Sequence, residues 1–203
     1  MSFTDAPVVA VVVAAGSGSR LGAAVPKALV ELDGVPLVRR AVDALRAGGV
    51  ERVVVTVPAD HEPAFRAALF SSLVETTTLV PGGETRQESV RLGLAALEAP
   101  DEAVVLVHDV ARPLVPVDVV ARVIEGVRGG AVAVVPCVGV VGPVRQVTEA
   151  GSFVLDDSSL RAVQTPQGFD LATLVDAHNL AADCGVHVVD DAADLVLEAA
   201  DEG

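Results

Sequence analysis

A glycine-rich segment follows an unbroken apolar run near the start of the chain, and two cations come shortly after it. Residues 8–15 are apolar, residues 16–19 read Gly-Ser-Gly-Ser, and Arg20 and Lys27 follow. A buried strand that ends in such a loop exposes backbone N–H groups that can bind a polyphosphate. Arg20 can bind phosphate oxygens through its planar guanidinium, and Lys27 adds a point charge. The segment predicts a site for a nucleoside triphosphate whose α-phosphate is attacked.

A glycine turn that binds no ligand is the alternative interpretation of this segment. Two common phosphate-binding patterns are excluded. Arg20 and Leu21 occupy the stretch where the dinucleotide-binding pattern has its third glycine. Lys27 lies too far from Gly16 for a P-loop, and no Ser or Thr follows it. Both interpretations stay open on this segment alone.

A second loop with small residues precedes a helix. Gly82 and Gly83 allow close backbone approach, and Thr85 with Glu88 forms a capping box that begins the helix. A strand–helix turn with a good cap would explain these residues without a ligand. The functional interpretation is a base pocket, in which backbone groups of the two glycines and the Ser89 hydroxyl bind the edge of a pyrimidine.

A third loop places an acidic and a basic residue after an apolar run. Residues 108–113 read His-Asp-Val-Ala-Arg-Pro. Asp109 ends a buried strand, where a carboxylate is a poor core residue but a good Mg²⁺ ligand. Arg112 could then hold the phosphate of an acceptor; a neutralising ion pair between Arg112 and Asp109 is the alternative. We expect His108 to be a structural, hydrogen-bonding residue, because phosphoryl-type transfer mainly needs positioning and charge.

Strand-like and helix-like segments alternate along the chain, which is typical of an α/β fold whose parallel sheet is covered on both faces. The predicted strands are residues 8–14, 52–57, 77–80, 103–107, 131–135 and 186–189; the predicted helices are residues 36–47, 62–70, 171–182 and 191–200, with two more that begin after Thr85 and at Pro116. Four loops follow predicted strands: residues 15–26, 81–85, 108–113 and 165–168. Ligands bind at the carboxyl ends of strands in such a sheet, so we expect these loops to converge on one crevice.

Residues 138–158 break this alternation. They contain three Gly and one Pro and show no helical periodicity, which predicts a protruding loop or β-arm rather than a second domain. We therefore expect one domain over residues 1–203.

Composition limits the classes of function. The 203 residues carry 14 basic and 28 acidic side chains, a net charge of −14, which argues against a nucleic-acid-binding surface. The longest apolar stretch is too short to span a membrane. The segment before it has no basic residues, so we do not expect it to be a signal sequence. Cys137 and Cys184 lie far apart in the sequence, which favours two packing thiols in a reducing cytoplasm.

Four motifs occur in order and resemble those of one enzyme family. They are Ala14, Ala15, Gly16, Ser17, Gly18, Ser19, Arg20 and Leu21 with Pro26 and Lys27; Gly82 and Gly83 with Arg86, Ser89 and Val90; Val107, His108 and Asp109 with Ala111, Arg112 and Pro113; and Gln164, Thr165, Pro166, Gln167, Gly168 and Phe169. With these motifs the chain resembles the 2-C-methyl-D-erythritol 4-phosphate cytidylyltransferases.

The resemblance implies a Rossmann-like, GT-A-like nucleotidyltransferase fold with a mostly parallel, twisted sheet and a β-arm. It implies a Mg²⁺-dependent enzyme of non-mevalonate isoprenoid synthesis, which joins CTP to methylerythritol phosphate and releases pyrophosphate. The arm, residues 138–158, would join two subunits in a homodimer whose acceptor site includes residues of the partner.

The resemblance also implies a role for each matching residue. Arg20 and Lys27 would be catalytic, stabilising the pentacoordinate α-phosphate. The CTP-binding residues would be Ala14, Ala15, Gly16, Ser17, Gly18, Ser19, Gly82, Gly83, Arg86 and Ser89. The acceptor would contact Asp109, Arg112 and Thr165, and Asp109 would also bind the metal.

The arm and the end of the chain depart from the family pattern. Gly142 and Pro143 stand where the family has an Asp and a Thr that helps to hold the acceptor, and Arg145 keeps only the charge of a Lys. Asp157 replaces an Arg that faces a phosphate. The family also continues past residue 203 with a strand and a helix that carry a second catalytic Lys.

These departures leave alternatives for the acceptor half of the site. Thr148 and Arg161 could substitute for the missing contacts. The acceptor could instead be another polyol phosphate, such as ribitol 5-phosphate, or the chain could bind CTP without catalysis.

Overall fold

The computed structural model describes residues 6–16, 25–69, 76–184 and 192–194, together with residue 196. The strands are β1 (Val8–Val13), β2 (Glu31–Leu32), β3 (Val35–Pro36), β4 (Arg52–Val57), β5 (Thr77–Pro81), β6 (Val104–Asp109), β7 (Ala133–Val134), β8 (Cys137–Gly139), β9 (Arg145–Thr148), β10 (Gly151–Val154), β11 (Arg161–Val163) and β12 (Gln167–Asp170). The α-helices are α1 (Leu37–Ala47), α2 (Glu62–Leu69), α3 (Arg86–Ala95), α4 (Val117–Arg128) and α5 (Leu171–Cys184). No helix among the described residues is both long enough and apolar enough to cross a lipid bilayer.

A six-stranded sheet in the order β5-β4-β1-β6-β12-β7 forms the centre of the molecule. The neighbours β5, β4, β1 and β6 are parallel, and β12 is antiparallel to both β6 and β7. The strands β1, β4 and β6 are rich in Val and almost wholly buried, as strands covered on both faces require. The predicted α/β fold with a mostly parallel sheet is confirmed.

Alternate residues of β1 face two separate cores. Val8, Ala10 and Val12 pack with apolar side chains of α1, α2 and α4. Val9 and Val11 pack with side chains of α3 and α5. Successive side chains of a strand point to opposite faces of the sheet, so one short run of Val and Ala serves both cores.

Most predicted elements are present within one or two residues of their expected bounds. Pro36 and Pro116 cap α1 and α4 instead of lying inside them, because proline fixes φ and donates no N–H. The predicted strand 186–189 lies outside the described residues. Of the predicted helix 191–200, only residues 192–194 and 196 are described, and all four are helical.

Two predictions near the end of the sheet are wrong. Only Ala133 and Val134 of the predicted strand 131–135 form a strand, and the predicted loop 165–168 runs into β12, a strand inside the sheet. A Cβ at Gly168 would lie 2.5 Å from Val123 Cγ1 and 3.1 Å from Leu106 Cδ2. The close packing of α4 therefore excludes the β-branched residues that usually mark a strand.

The predicted β-arm is present. Strands β9 and β10 form an antiparallel hairpin in which every residue is exposed, and β8 pairs with β11 at its base. Arg145 Nε donates to Ser152 Oγ (2.8 Å), and its Nη2 donates to the Ser152 carbonyl (3.0 Å). The Arg145 side chain thus links the two strands of the hairpin.

The two cysteines do not pack in the core. Cys137 in β8 and Cys184 at the end of α5 are both free and exposed. Their interpretation as packing thiols is therefore wrong. The described cores are filled by Val, Ala, Leu, Ile and Phe side chains.

Candidate active site

A cleft of about 600 Å³ opens at the carboxyl ends of β1, β5 and β6. Its lining comes from three of the predicted loops and from residues close to them in sequence: Val13, Ala15, Gly16, Lys27, Ala28, Gly83, Glu84, Thr85, Arg86, Ser89, Asp109, Val110 and Ala111. The fourth predicted loop reaches the cleft through a hydrogen bond from the Asp109 N–H to Thr165 Oγ1 (3.1 Å). Because β12 is antiparallel, its first residues lie at the same edge as the ends of the parallel strands.

The first loop is anchored where it leaves β1. The N–H of Ala14, a buried residue, donates to the Thr56 carbonyl of β4 (2.9 Å). A Cβ at Gly82 would collide with the Cβ of Ala15, so the first and second loops touch where a side chain has no room. The predicted site residues Ser17, Gly18, Ser19 and Arg20 lie outside the described residues.

Lys27 lines the cleft from a short 3-10 helix, Lys27–Leu29, which follows Pro26. The next residue, Ala28, is buried in the core, and the Leu29 N–H donates to the Pro26 carbonyl (2.9 Å). These contacts fix the backbone that carries the ammonium group. Lys27 is the only lysine in the 203-residue sequence.

The Ser89 hydroxyl holds the second loop in shape. It accepts from the Gly83 N–H (3.1 Å) and donates to the Thr85 carbonyl (2.9 Å). Thr85 Oγ1 accepts from the Glu88 N–H (3.1 Å), which confirms the predicted cap. In a standard capping box the Glu88 carboxylate would accept from the N–H of the cap residue, Thr85. Here it accepts from the N–H of the preceding residue, Glu84 (2.8 Å).

An ion pair joins the second and third loops. Arg86 Nε donates to Asp109 Oδ1 at 3.0 Å, and the two side chains are 16% and 31% exposed. The guanidinium of Arg112 instead donates to Gln164 Oε1 and to the Val163 carbonyl. The alternative of an Asp109–Arg112 ion pair is therefore wrong.

His108 is a fully buried residue whose two ring nitrogens bind the third and fourth loops. A carbonyl can only accept, so Nε2 carries the proton and donates to the Arg112 carbonyl (3.2 Å). Nδ1 then accepts from the Thr165 hydroxyl (3.0 Å). Burial lowers the pKa of His108 to about 4, against the opposing attraction of Asp109. The structural interpretation of His108 is confirmed.

Acid is expected to destabilise the fold through His108 and His178. His178 in α5 is also buried, neither ring nitrogen has a hydrogen-bond partner among the described residues, and burial lowers its pKa to about 4. Since both folded-state pKa values lie below the unfolded value, the unfolded chain binds more protons between pH 6.5 and 4, and stability falls as the pH falls. At pH 5 each histidine should cost about 2 kcal/mol relative to pH 7.5.

Urea unfolding of the parent, His178→Phe and His61→Gln at pH 7.5 and 5 measures this effect. His178→Phe should lose less stability between the two pH values than the parent loses. His61, whose side chain is 39% exposed beside Asp60, is the matched control and should leave the pH dependence nearly unchanged. An equal loss in parent and His178→Phe would contradict the prediction for that histidine.

The structure contains a second cavity, of about 670 Å³. Its lining is mostly apolar and comes from residues 112–116, α4, residues 136–138 and the Gln164–Thr165 segment. Arg112 and Thr165, two of the predicted acceptor residues, line this cavity, whereas Asp109 lines the cleft. The predicted acceptor residues thus line two different cavities, which the hydrogen bond from the Asp109 N–H to Thr165 Oγ1 connects.

The chain matches known proteins over nearly its whole length. The family model described as 2-C-methyl-D-erythritol 4-phosphate cytidylyltransferase matches residues 8–200. The chain belongs to this family. The cytidylyltransferase of Streptomyces coelicolor is 50% identical over 195 residues, which cover 90% of this chain and 71% of that protein. That of Saccharopolyspora erythraea is 51% identical over 181 residues, which cover 87% of this chain and 80% of that protein.

A solved structure of the family has the same fold. The 2-C-methyl-D-erythritol 4-phosphate cytidylyltransferase of Thermus thermophilus matches with a TM-score of 0.76 and 32% sequence identity. The match covers 96% of this chain and 85% of that one. The predicted nucleotidyltransferase fold is therefore confirmed.

Three positions that the sequence analysis singled out as departures, Gly142, Pro143 and Asp157, lie in the arm. Gly142 has a positive φ of 94°, and Asp157 begins a short, exposed 3-10 helix. The two candidate substitutes are engaged locally: Thr148 Oγ1 donates to the Gly151 carbonyl (3.2 Å), and Arg161 Nη1 donates to the Ser158 and Leu160 carbonyls (3.0 and 2.8 Å). In this conformation both side chains stabilise the arm itself.

Gln164 has a structural role that the sequence analysis did not predict. Its side-chain oxygen accepts from Arg112, and its N–H donates to the Pro136 carbonyl (2.8 Å). Gln164 therefore ties the third loop to the base of the arm. Its position directly before Thr165 in the fourth motif is the one sequence signal that could have pointed to it.

Proposed function

We propose that the chain transfers a cytidylyl group from CTP to 2-C-methyl-D-erythritol 4-phosphate and releases pyrophosphate, a step in non-mevalonate synthesis of isoprenoid precursors. The reaction class is that of the cytidylyltransferase relatives. The observation that carries the proposal is the convergence of three motif-bearing loops on one cleft, which brings Lys27, Arg86 and Asp109 together. The cleft thus combines cationic side chains that can bind a triphosphate with a carboxylate that can bind a metal ion.

The chemistry mainly requires positioning and charge stabilisation. A phosphate oxygen of the acceptor attacks the α-phosphorus of CTP, and the bond from that phosphorus to the bridging oxygen of the β-phosphate breaks. Pyrophosphate leaves with the electron pair. Negative charge develops on the equatorial oxygens of the pentacoordinate phosphorus, and Lys27 and Arg20 are assigned to stabilise it.

Asp109 is the residue we assign to Mg²⁺. Its carboxylate offers the hard oxygen ligand that Mg²⁺ prefers, and it lines the cleft. Among the described residues, no group of three or more His, Cys, Asp or Glu side chains could hold a metal ion. Asp109 would hold the ion together with phosphate oxygens of the nucleotide and water, as is common for Mg²⁺. Such an ion would neutralise charge on the phosphates.

We assign cytosine to the second loop and the sugar phosphate to the third and fourth loops. Gly82 and Gly83 pack closely against the side chains of Ala15 and Glu88, so we assign the base contacts to backbone groups of this loop. Ser89 acts mainly by shaping the loop, because its hydroxyl already accepts from Gly83 and donates to Thr85. The Thr165 hydroxyl likewise already donates to His108, so we assign Thr165 to fixing the Asp109 backbone beside the acceptor.

Pyrophosphate release, measured with each component omitted in turn, tests the proposed reaction. We expect turnover only when CTP, Mg²⁺ and methylerythritol phosphate are all present. Ribitol 5-phosphate belongs in the same assay, because Gly142, Pro143 and Asp157 alter the acceptor side. Faster turnover with another polyol phosphate would reassign the acceptor, and CTP binding by calorimetry without turnover on any acceptor would overturn the catalytic proposal.

We also propose a cytoplasmic homodimer formed through the arm. The arm exposes large apolar side chains, among them Val141 (99%), Val147 (78%) and Phe153 (56%). Exposed apolar surface of this kind marks interaction sites, and a second copy of the arm would cover it. A reducing cytoplasm would keep the exposed thiols of Cys137 and Cys184 free.

Replacing Val147 and Phe153 together by Ser should shift the protein towards the monomer. The change removes the apolar area that the partner would cover, and we expect at least tenfold weaker association. Light scattering after size exclusion separates the 20.6 kDa monomer from a species of twice that mass. Leu180→Ser, which alters an exposed residue of α5, is the control. A monomeric parent, or a double variant with unchanged mass, would contradict the arm-mediated dimer.

A further inference from the structure

The carboxylate assigned to the metal already has a cationic partner. Arg86 Nε donates to Asp109 Oδ1 at 3.0 Å, and both side chains are partly buried. A guanidinium beside a carboxylate blocks one of its oxygens and repels a second cation. Without nucleotide, a divalent ion must compete with Arg86 for Asp109.

The positions of both partners are fixed by the backbone. Asp109 ends β6, where its N–H donates to Thr165 Oγ1 and its carbonyl accepts from the Arg112 N–H (3.1 and 2.9 Å). Arg86 is the first residue of α3, directly after the cap formed by Thr85. The ion pair therefore spans two rigid elements, and neither residue can leave without a rotamer change of its side chain.

The ion pair leaves part of the hydrogen-bonding capacity of the Arg86 guanidinium unused. Its Nη2 is buried and has no hydrogen-bond partner among the described residues. A buried donor without a partner costs free energy. New acceptor oxygens in the cleft would therefore favour a rearrangement in which the guanidinium leaves Asp109 and binds them. The phosphate oxygens of a triphosphate in the same cleft are such acceptors.

We propose that Arg86 is a positioning residue that controls metal access to Asp109. Without nucleotide it neutralises Asp109 and keeps a divalent ion from binding alone. A triphosphate that arrives with its metal ion gives the guanidinium new partners and frees Asp109 for the metal. Metal and nucleotide then enter the cleft together. This inference rests on the proposed assignment of Asp109 to the metal.

Binding of Mn²⁺ alone, followed by the electron paramagnetic resonance signal of the free ion, tests this control. We expect Arg86→Gln to bind Mn²⁺ about tenfold more tightly than the parent in the absence of nucleotide, because the competing charge is gone. Arg86→Lys, which keeps a charge near Asp109, should stay close to the parent. Adding Asp109→Asn to Arg86→Gln should abolish the gain.

Arg39→Gln is the matched control. Arg39 makes an Nε-to-carboxylate ion pair with Asp43 (2.8 Å) on the surface of α1, and its loss should leave Mn²⁺ binding unchanged. Equal or weaker Mn²⁺ binding by Arg86→Gln, or a gain that survives Asp109→Asn, would overturn the inference. Turnover of the parent with CTP and acceptor is read separately. A tighter-binding Arg86→Gln beside an inactive parent would overturn the proposed reaction and leave the metal control standing.

Discussion

Lys27→Ala is expected to lower turnover by about 10²–10³-fold while the protein stays folded. The ammonium group is assigned to the developing charge on the α-phosphate, and its interaction strengthens only in the transition state. The loss should therefore fall mainly on kcat, with a smaller change in the KM for CTP. Steady-state pyrophosphate release at saturating acceptor measures both parameters.

Lys27→Arg is the companion variant, since it keeps the charge but changes its shape. It should retain more activity than Lys27→Ala, and thermal unfolding should show both variants folded.

Because Lys27 is the only lysine of the sequence, reductive ¹³C-methylation gives one side-chain resonance besides that of the N-terminal amine. That resonance should shift when CTP binds. Wild-type-like turnover of Lys27→Ala would refute the assigned role.

Gly168→Ala should lower the free energy of unfolding by about 1–3 kcal/mol. The added methyl group would meet Val123 Cγ1 at 2.5 Å, and Leu106 Cδ2 and Val127 Cγ2 at 3.1 Å, all in the packed layer between α4 and the sheet. Interiors of native density leave no room for an extra carbon. Urea unfolding at pH 7.5 measures the change.

Gly139→Ala is the matched control for this substitution. A Cβ at Gly139 would meet no atom within 4 Å, so its stability should stay within about 0.5 kcal/mol of the parent. Equal stability of both variants would mean that α4 does not press on β12 as the structure describes. Loss of activity in folded Gly168→Ala would follow from displacement of Thr165, three residues earlier in the chain.

The central sheet could be predicted because its parallel strands are short, nearly continuous runs of apolar residues. Strands buried on both faces are mostly apolar, and β1, β4 and β6 are dominated by Val. The helices between them carry apolar residues at helical spacing, as in α4 with Val120, Val123, Ile124 and Val127 buried. Pattern alone was enough for these elements.

The strands that could not be predicted are short and are determined by tertiary packing. β12 reads Gln-Gly-Phe-Asp, and its glycine is required by α4 rather than by any strand preference. The β2–β3 hairpin turns at Asp33 and Gly34, which both have positive φ (51° and 72°). Asp-Gly is a strong hairpin signal, but strands of two residues are too short to show alternation.

The sequence predicted which loops form the site, but it did not predict which charged side chains pair with each other there. Glycine and charged residues after buried strands indicated the crevice. The partner of Asp109 could not be predicted, because Arg112 is close in sequence while Arg86 becomes close only when β5 and β6 lie in one sheet. The Arg112 side chain instead donates a hydrogen bond to Gln164, which lies 52 residues later in the sequence.

The insertion of the arm between two paired strands has an evolutionary consequence. Val134 of β7 and Gly168 of β12 are cross-strand partners, so the whole arm leaves the sheet and returns to it between adjacent strands, about 5 Å apart. Length and sequence can therefore change in the arm without moving β1, β5 or β6. Gly142, Pro143 and Asp157 all lie within this excursion, so substitutions at these positions leave the strands that border the cleft in place.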